Sequence, residues 1–395
     1  MTLKLHNTLT DEVEDFSPIT SGVVKMYHCG PTVYDYVHIG NLRSFLLADI
    51  LRRTCEYLGL EVKQVINITD VGIGGNNDEG EDKMIAGLKR EKKAVSMENM
   101  KELSDFYTLR FKEDTQAMNI LPPHFLPKAS EHLAEMIEMI KALEEKGFVY
   151  KTSDGVYFDV SKDAHYGKLG RLGKETESRV ENSEKKNSRD FALWKFNENL
   201  GYPSPWGQGF PGWHLECSAM ATKYLGNTFD IHTGGLDLAP IHHNNEIAQS
   251  ENVCGCDFAH YWLHNEFVNV PEGKMAKSEG TGIKLSDLEA KNFSPLTYRY
   301  FLLMAHYRTP VTFTWEALEA AQNALSRLQK ALEALPQGGV VDQAYRAKFV
   351  EKLENDLNTP QALAVLWTML KDKEVKPEDK VATLKDFDRV LGLGL

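Results

Sequence analysis

Cys29-Gly30-Pro31-Thr32-Val33-Tyr34-Asp35-Tyr36-Val37-His38-Ile39-Gly40-Asn41 follows the apolar run Val23-Val24-Lys25-Met26-Tyr27 and leads into Leu42 to Leu58, where apolar residues recur at helical spacing. A second β-branched run, Val62 to Ile68, comes next. Strand, turn, amphipathic helix and strand in that order make a βαβ unit, and its crossover calls for a parallel sheet. The turn has the makings of an anion site. Helix N-terminal amides face outward there, and a glycine at position 40 lets a phosphate or purine come close to the backbone. A nucleotide site at the carboxyl end of the first strand is the expectation.

Beyond this unit, Asp70 to Asp82 is rich in Gly and Asn (Gly72, Gly74, Gly75, Asn76, Asn77) and reads as a loop. A helical stretch is expected from about Asp82 to Met118. The Pro122-Pro123 break follows, then a helix from about Ser130 to Lys146 stopped by Gly147, and a short strand at Val156 to Val160. Lys162 to Lys195 is polar and charged and reads as an exposed insertion without core. Phe229-Asp230-Ile231-His232 suggests another strand, with Gly234-Gly235 as a turn beyond its end, so that the second half completes the parallel sheet of an α/β fold. After Asn292 the pattern is helical: Trp315 to Leu335, Asp342 to Asn355, and a further helix with Thr359 as N-cap and Pro360 at its first position.

A chain of 395 residues, 42% apolar and 26% charged, is long enough for two or three cores. Its 45 Lys and Arg against 57 Asp and Glu, a formal charge of −12, exclude a globally basic nucleic-acid coat or polybasic membrane anchor. No stretch approaches the ~20 apolar residues of a membrane span, and the polar N-terminus has no apolar leader, so a cytoplasmic address is expected. Five cysteines at irregular spacing do not make a disulfide framework. Cys254-Gly255-Cys256 is too short to ligate zinc in the usual way and reads as two reduced thiols.

Two further clusters can carry chemistry. Lys274-Met275-Ala276-Lys277-Ser278, between Gly273 and Gly280, puts two ammonium groups on a glycine-bordered loop, suited to charge on a leaving polyphosphate. A solvated surface loop fits the same pentapeptide. Cys217 together with His242, His243 and Glu246, with Cys29 at a strand end, offers thiolate, imidazole and carboxylate donors; His242 and Glu246 are four apart and share a helix face. Spacing alone is a weak signal for a metal, and a surface contact fits it as well as a His-x-x-x-Glu ligand pair does.

Taken in order, the Cys29–Asp35 run, His38-Ile39-Gly40-Asn41, Asn67-Ile68-Thr69-Asp70, Pro211-Gly212-Trp213-His214-Leu215-Glu216-Cys217-Ser218-Ala219-Met220, His242-His243-Asn244-Asn245-Glu246-Ile247-Ala248-Gln249-Ser250 and Lys274–Ser278 resemble cysteinyl-tRNA synthetase, a class I aminoacyl-tRNA synthetase. The similarity runs from about Leu5 to Leu395. It implies a Rossmann-like catalytic domain in two halves (1–120 and 206–265) split by an inserted connective α/β domain (121–205). A signature-loop and stem-contact region (266–335) and a helical bundle (336–395) follow. It implies one zinc ion on Cys29, Cys217, His242 and Glu246, binding the thiolate of substrate cysteine. Cys29, Thr69, Trp213 and His232 would form the cysteine pocket. His38, Gly40, Asn41, Gly235, Asp237 and Lys277 would hold ATP with Mg2+, and His38, Lys274 and Lys277 would be catalytic. The acceptor would be the acceptor arm of tRNA-Cys, and the default state a monomer.

Three departures stand out: Val71 to Asn77 interrupts an acidic run after Asn67–Asp70, Ala276 replaces the usual Ser, and Asn244 replaces an acidic residue. The resemblance also implies a short form, ending about where an anticodon-binding domain begins in bacterial relatives. Acceptor-arm contacts would then fall to Lys89, Arg90, Lys92 and Lys93, or to Lys168, Arg171, Lys174, Arg179, Lys185, Lys186 and Arg189. That shortness keeps open a mycothiol-pathway-type ligase joining cysteine to a glucosamine amine, and a non-catalytic zinc- and nucleotide-binding paralogue.

Overall fold

The strand Val23–His28 lies in the middle of a four-stranded parallel sheet. Its neighbours are Glu61–Ile66 on one side and Phe229–Gly235 on the other, with Ala259–Asn265 at the edge beyond. The second half of the chain thus completes the sheet begun by the first, as the sequence predicts. The computed structural model describes residues 2–71, 82–170, 184–270, the backbone of 273–274, and 282–395. The Gly/Asn-rich stretch after Val71, most of the signature loop and Arg171, Lys174 and Arg179 fall outside these residues.

The crossover helix, Ile39–Tyr57, differs from its sequence reading in one instructive way. Fourteen of its 19 residues are buried, among them Arg43, Asp49 and Arg53. Its polar side does not face water. It is wedged between the sheet and the C-terminal helices, and its charged residues are spent on internal partners. Arg43 donates to the carbonyls of Phe267, His306, Tyr307 and Thr309, and Arg53 donates from Nε to both oxygens of Asp49 and from its terminal nitrogens to the carbonyls of Arg389 and Asn119.

Several boundaries are corrected. The helix expected over Asp82 to Met118 is two helices, Lys83–Arg90 and Met97–Ala117, broken where Lys92 takes a left-handed backbone (φ 55°). The insertion is not devoid of core: Phe191–Phe196 is a central strand of a four-stranded antiparallel sheet with Val149–Lys151, Gly155–Phe158 and Gly209–Pro211. Phe191, Leu193 and Trp194 there are buried, because the polar flanks conceal the apolar run Phe191 to Trp194, which two strands cover. Gly234 and Gly235 belong to the strand, held by pairing with His264 and Asn265. The helix Thr359–Lys371 is capped by Asn358, whose side chain accepts from the Gln361 amide; Thr359 is already helical. Cys254 and Cys256 form a disulfide where two reduced thiols were expected, since left-handed Gly255 at the helix end folds their Cα atoms to 5.3 Å.

No helix among the described residues is long and apolar enough to cross a membrane.

Candidate active site and metal centre

The sheet reverses its winding between Val23–His28 and Phe229–Gly235, and a crevice opens outside the carboxyl ends of strands at such a switch point. Cys29 follows the first of these strands directly and Gly235 ends the second. Thr69 follows Glu61–Ile66 and bridges back to Thr32. Opposite them, the helix Trp213–Leu225 brings Cys217, and a π-helical turn, Ala239–His243, runs into the helix Asn244–Cys254 with Glu246 on its first turn.

These elements converge on one cluster. Cys29, Cys217, His242 and Glu246 each offer an atom such that the four lie within 4.8 Å of one another, and Cys29, His232, His243 and Glu246 form an overlapping set. The two thiols are 3.8 Å apart, and Cys29 Sγ is 3.5 Å from Glu246 Oε1. His242 Nε2 is buried and sits 3.1 Å from Glu246 Oε1. His243 Nε2 is instead engaged by Cys29 Sγ at 3.3 Å.

Each imidazole is held from behind by another. His214 and His242 share a hydrogen bond between Nδ1 atoms at 2.8 Å, and His243 Nδ1 meets His264 Nε2 at 2.7 Å. His264 in turn reaches the Thr8 hydroxyl. Such backing orients a metal-binding ring and fixes its tautomer. His232 Nε2 lies 2.8 Å from Glu246 Oε2 while its ring stacks on Trp262, so it holds the carboxylate in place.

Burial drives every member of the cluster toward its neutral form. It raises the Cys29 and Cys217 thiols and the Glu246 carboxyl and pulls His242 down to about 4. Two thiolates and a carboxylate packed together without a cation would repel one another in a medium of low polarity. A divalent cation removes that conflict, and sulfur, nitrogen and oxygen donors in one small shell are the chemistry zinc takes. The residues fit the metal.

Asn67 knits the thiols to the first strand end. It accepts from the Gly30 amide at 2.7 Å and faces Cys217 Sγ at 3.6 Å. The approach is so close that a Cβ at Gly30 would lie 1.6 Å from the Asn67 carbonyl oxygen, which restricts that position to glycine. Thr69, fully buried, donates to Glu216 Oε2 at 2.6 Å. Trp213 is half-buried with its ring 4.2 Å from that of His242, at the wall of the crevice.

The turn expected to hold the nucleotide is a capping box. His38 caps the helix Ile39–Tyr57, its Nδ1 accepting from the Asn41 amide at 3.1 Å while Asn41 Oδ1 accepts from the His38 amide. A Cβ at Gly40 would come 3.0 Å from the His38 ring. Gly235 and Asp237 lie together at the end of their strand and in the turn after it. Both stems of the signature loop are tied to this helix start: Ile39 donates to Ile283 O, His38 bridges Lys284, and Arg43 holds Phe267 O. Lys274 is paired through its backbone with Asn269; its side chain and Lys277 lie outside the described residues.

Asn244 has a visible reason for its departure. Its Oδ1 accepts from the Leu169 amide and its Nδ2 donates to Pro240 O, so one side chain serves as donor and acceptor between the helix and the insertion. A carboxylate could not donate. Of the basic residues expected to face an acceptor, Arg90 is engaged with Asp35, Glu91 and the Tyr34 carbonyl, and Lys168 with Glu251.

The chain was compared with known proteins. A family profile described as tRNA synthetases class I (C) catalytic domain matches residues 15–323, and one described as DALR domain matches 348–395. Cysteine–tRNA ligase 1 of Burkholderia lata is 46% identical, with 100% of this chain and 85% of the relative covered. The cysteine–tRNA ligase of Thermococcus onnurineus is 41% identical over 93% of this chain and 79% of its own length. Among solved structures, Mycobacterium tuberculosis methionyl-tRNA synthetase in complex with methionyl-adenylate superposes with a TM-score of 0.62 at 13% identity, covering 94% of this chain and 90% of that one.

Proposed function

The chain belongs to the class I cysteinyl-tRNA synthetase family, and we propose from that membership and the geometry of its crevice which residues carry the reaction. The enzyme is an ATP-dependent cysteine–tRNA ligase. The substrate carboxylate attacks the α-phosphorus of ATP and pyrophosphate leaves; the terminal ribose hydroxyl of tRNA then attacks the activated carbonyl and AMP leaves.

Cys29, Cys217, His242 and Glu246 would hold zinc, which when bound supplies a borderline-soft Lewis acid that takes a thiolate in preference to a serine hydroxyl. The observation that carries this reading is the meeting of two thiols, an imidazole nitrogen and a carboxylate within 4.8 Å at the carboxyl ends of the sheet. Trp213 closes the side of the crevice, Thr69 steadies its floor through Glu216, and His232 orients Glu246.

His38, Gly40 and Asn41 present the first-turn amides of a long helix to the phosphates, where the helix dipole favours negative charge. Asp237 beside Gly235 suits the ribose hydroxyls. Lys274 and Lys277 neutralise the departing pyrophosphate, with Mg2+ accompanying ATP. No side chain is needed as a nucleophile; orientation and charge stabilisation account for the rate.

Zinc-replete protein given labelled cysteine and ATP tests the reading, with a tRNA-Cys transcript, an anticodon-altered transcript and glucosaminyl-inositol as parallel acceptors. Transfer to tRNA is expected. Transfer to the amine alone, or no cysteine-dependent pyrophosphate exchange, overturns it.

A further inference from the structure

Lys83 opens the short helix Lys83–Arg90, and its ammonium lies 5.2 Å from the centre of the Trp213 ring. The same indole is in ring contact with His242 at 4.2 Å, so Lys83 stands one aromatic side chain away from the thiol cluster. Its other electrostatic neighbours are Asp237 and Asp82. Among the described residues no carboxylate comes within ion-pair distance of it. Asp82 uses its carboxylate to cap the helix, accepting from the Met84 and Ile85 amides. A positive charge has therefore been brought to the crevice wall and braced on an aromatic face, with no carboxylate of the described residues in ion-pair distance.

The position falls between two landmarks. On one side is the cluster that would take a thiol; on the other is Asp237, beside the expected ribose. In a thiol-bearing α-amino acid only two carbons separate the sulfur from the carboxyl group, and in the activation step that group must point from the metal centre toward the nucleotide. We propose that the Lys83 ammonium holds the carboxylate of the amino-acid substrate and aims it at the α-phosphate. The proposal rests on the amino-acid reading of the crevice given above. Asp237 disfavours a polyphosphate at the same spot by like charge, whereas a single carboxylate oxygen is well matched to one ammonium. Burial, which lowers the Lys83 pKa from its usual value, makes an arriving anion a stronger partner than it would be in water.

Cysteine and cysteamine, which lacks only the carboxylate, separate this role from a structural one. Binding of each to zinc-loaded parent protein, Lys83→Met and Lys83→Arg is measured by calorimetry, and the ATP dependence of pyrophosphate exchange is followed alongside. Lys83→Met is expected to weaken cysteine about tenfold or more, the scale of one charge-assisted hydrogen bond, and to leave cysteamine unchanged. Lys83→Arg should recover part of the loss, and the KM for ATP should hold. Equal loss for both ligands makes Lys83 a wall residue and overturns the proposal, as does no loss for either. A change confined to the KM for ATP assigns the anion to the nucleotide and overturns it too. If parent protein binds neither thiol, the amino-acid reading itself falls, and this role with it.

Discussion

Arg299 Nη2 lies 2.6 Å from Asp49 Oδ2, and neither side chain has any exposure to solvent. The pair joins the middle of the crossover helix to the helix Pro295–Leu303. Arg299 also donates to the carbonyls of Leu391, Met118 and Asn119, and Arg53 shares Asp49 while donating to Arg389 O. Two guanidinium groups thus fasten the carboxyl end of the helix Pro377–Leu391 to the nucleotide-binding half, with one carboxylate between them.

Replacing Asp49 strands both cations in the interior. Asp49→Ala should cost ~3–5 kcal/mol of unfolding free energy, the range for removing one member of a buried pair. Arg299→Met should cost less, because Asp49 keeps Arg53 as a partner. Urea unfolding of the two variants checks the order; equal losses would show that the carboxylate is not the shared element.

The two overlapping donor sets make opposite demands. If Cys29, Cys217, His242 and Glu246 hold the metal, His242→Ala loses zinc and His243→Ala keeps it; the alternative set reverses that result. His242 Nε2 at 3.1 Å from Glu246 Oε1, against 3.9 Å for His243 Nε2, favours the first outcome. Zinc content per chain after dialysis against a weak chelator, read by atomic emission, decides it, with Cys217→Ser expected to behave like His242→Ala.

Asp114 supplies a pH dependence remote from the site. Burial, with Glu289 and Glu113 adding repulsion, raises its carboxyl to about 6 from a model-peptide value of 3.8. A carboxyl whose folded value is raised binds its proton more tightly in the folded state. Its charge therefore destabilises the protein above pH ~6, and the penalty fades as pH falls toward the unfolded value. Asp114→Asn should stabilise the enzyme by about 1 kcal/mol at pH 8, allowing for partial exposure, and by nothing measurable at pH 4. Thermal denaturation at the two pH values tests it; a gain independent of pH would point to packing and not to charge.

Much of this architecture is written locally. The apolar runs at Val23–Tyr27 and Phe229–His232 mark their strands, and His38 to Asn41 carries its own capping signals. The donor cluster is legible only as a set, since Cys29 and Cys217 are 188 residues apart and nothing in either neighbourhood announces the other. What spacing could not deliver was the use of polar residues inside. Arg43, Asp49 and Arg299 look like solvated charges until the partners that satisfy them, up to 266 residues away, are in view. His232 is expected at the cysteine pocket from the resemblance alone; that its ring stacks on Trp262 and meets Glu246 could not be read from spacing. Phe191 to Trp194 escaped notice because a short apolar run inside a charged stretch lacks a long enough period to register.

Arg43 links the helix start at His38 to the segment before Lys274. It sits one turn into the helix that His38 caps, and its guanidinium satisfies four carbonyls: Phe267 at 2.7 Å, His306 at 3.1 Å, Tyr307 at 3.2 Å and Thr309 at 2.6 Å. Phe267 immediately precedes the strand Val268–Val270, which pairs with Lys274. Burial lowers the pKa of Arg43 only to about 10, so the group remains charged at neutral pH. Lysine keeps the charge but not the planar fork, and cannot serve four carbonyls spread around it. Arg43→Lys should therefore leave cysteine affinity intact while lowering kcat for pyrophosphate exchange, because the signature lysines lose a fixed stem. Stability should fall by ~1–3 kcal/mol, the cost of a buried acceptor left unmade. A general loss of fold would depress cysteine binding and turnover together, so measuring both on the same zinc-loaded preparation separates positioning from collapse.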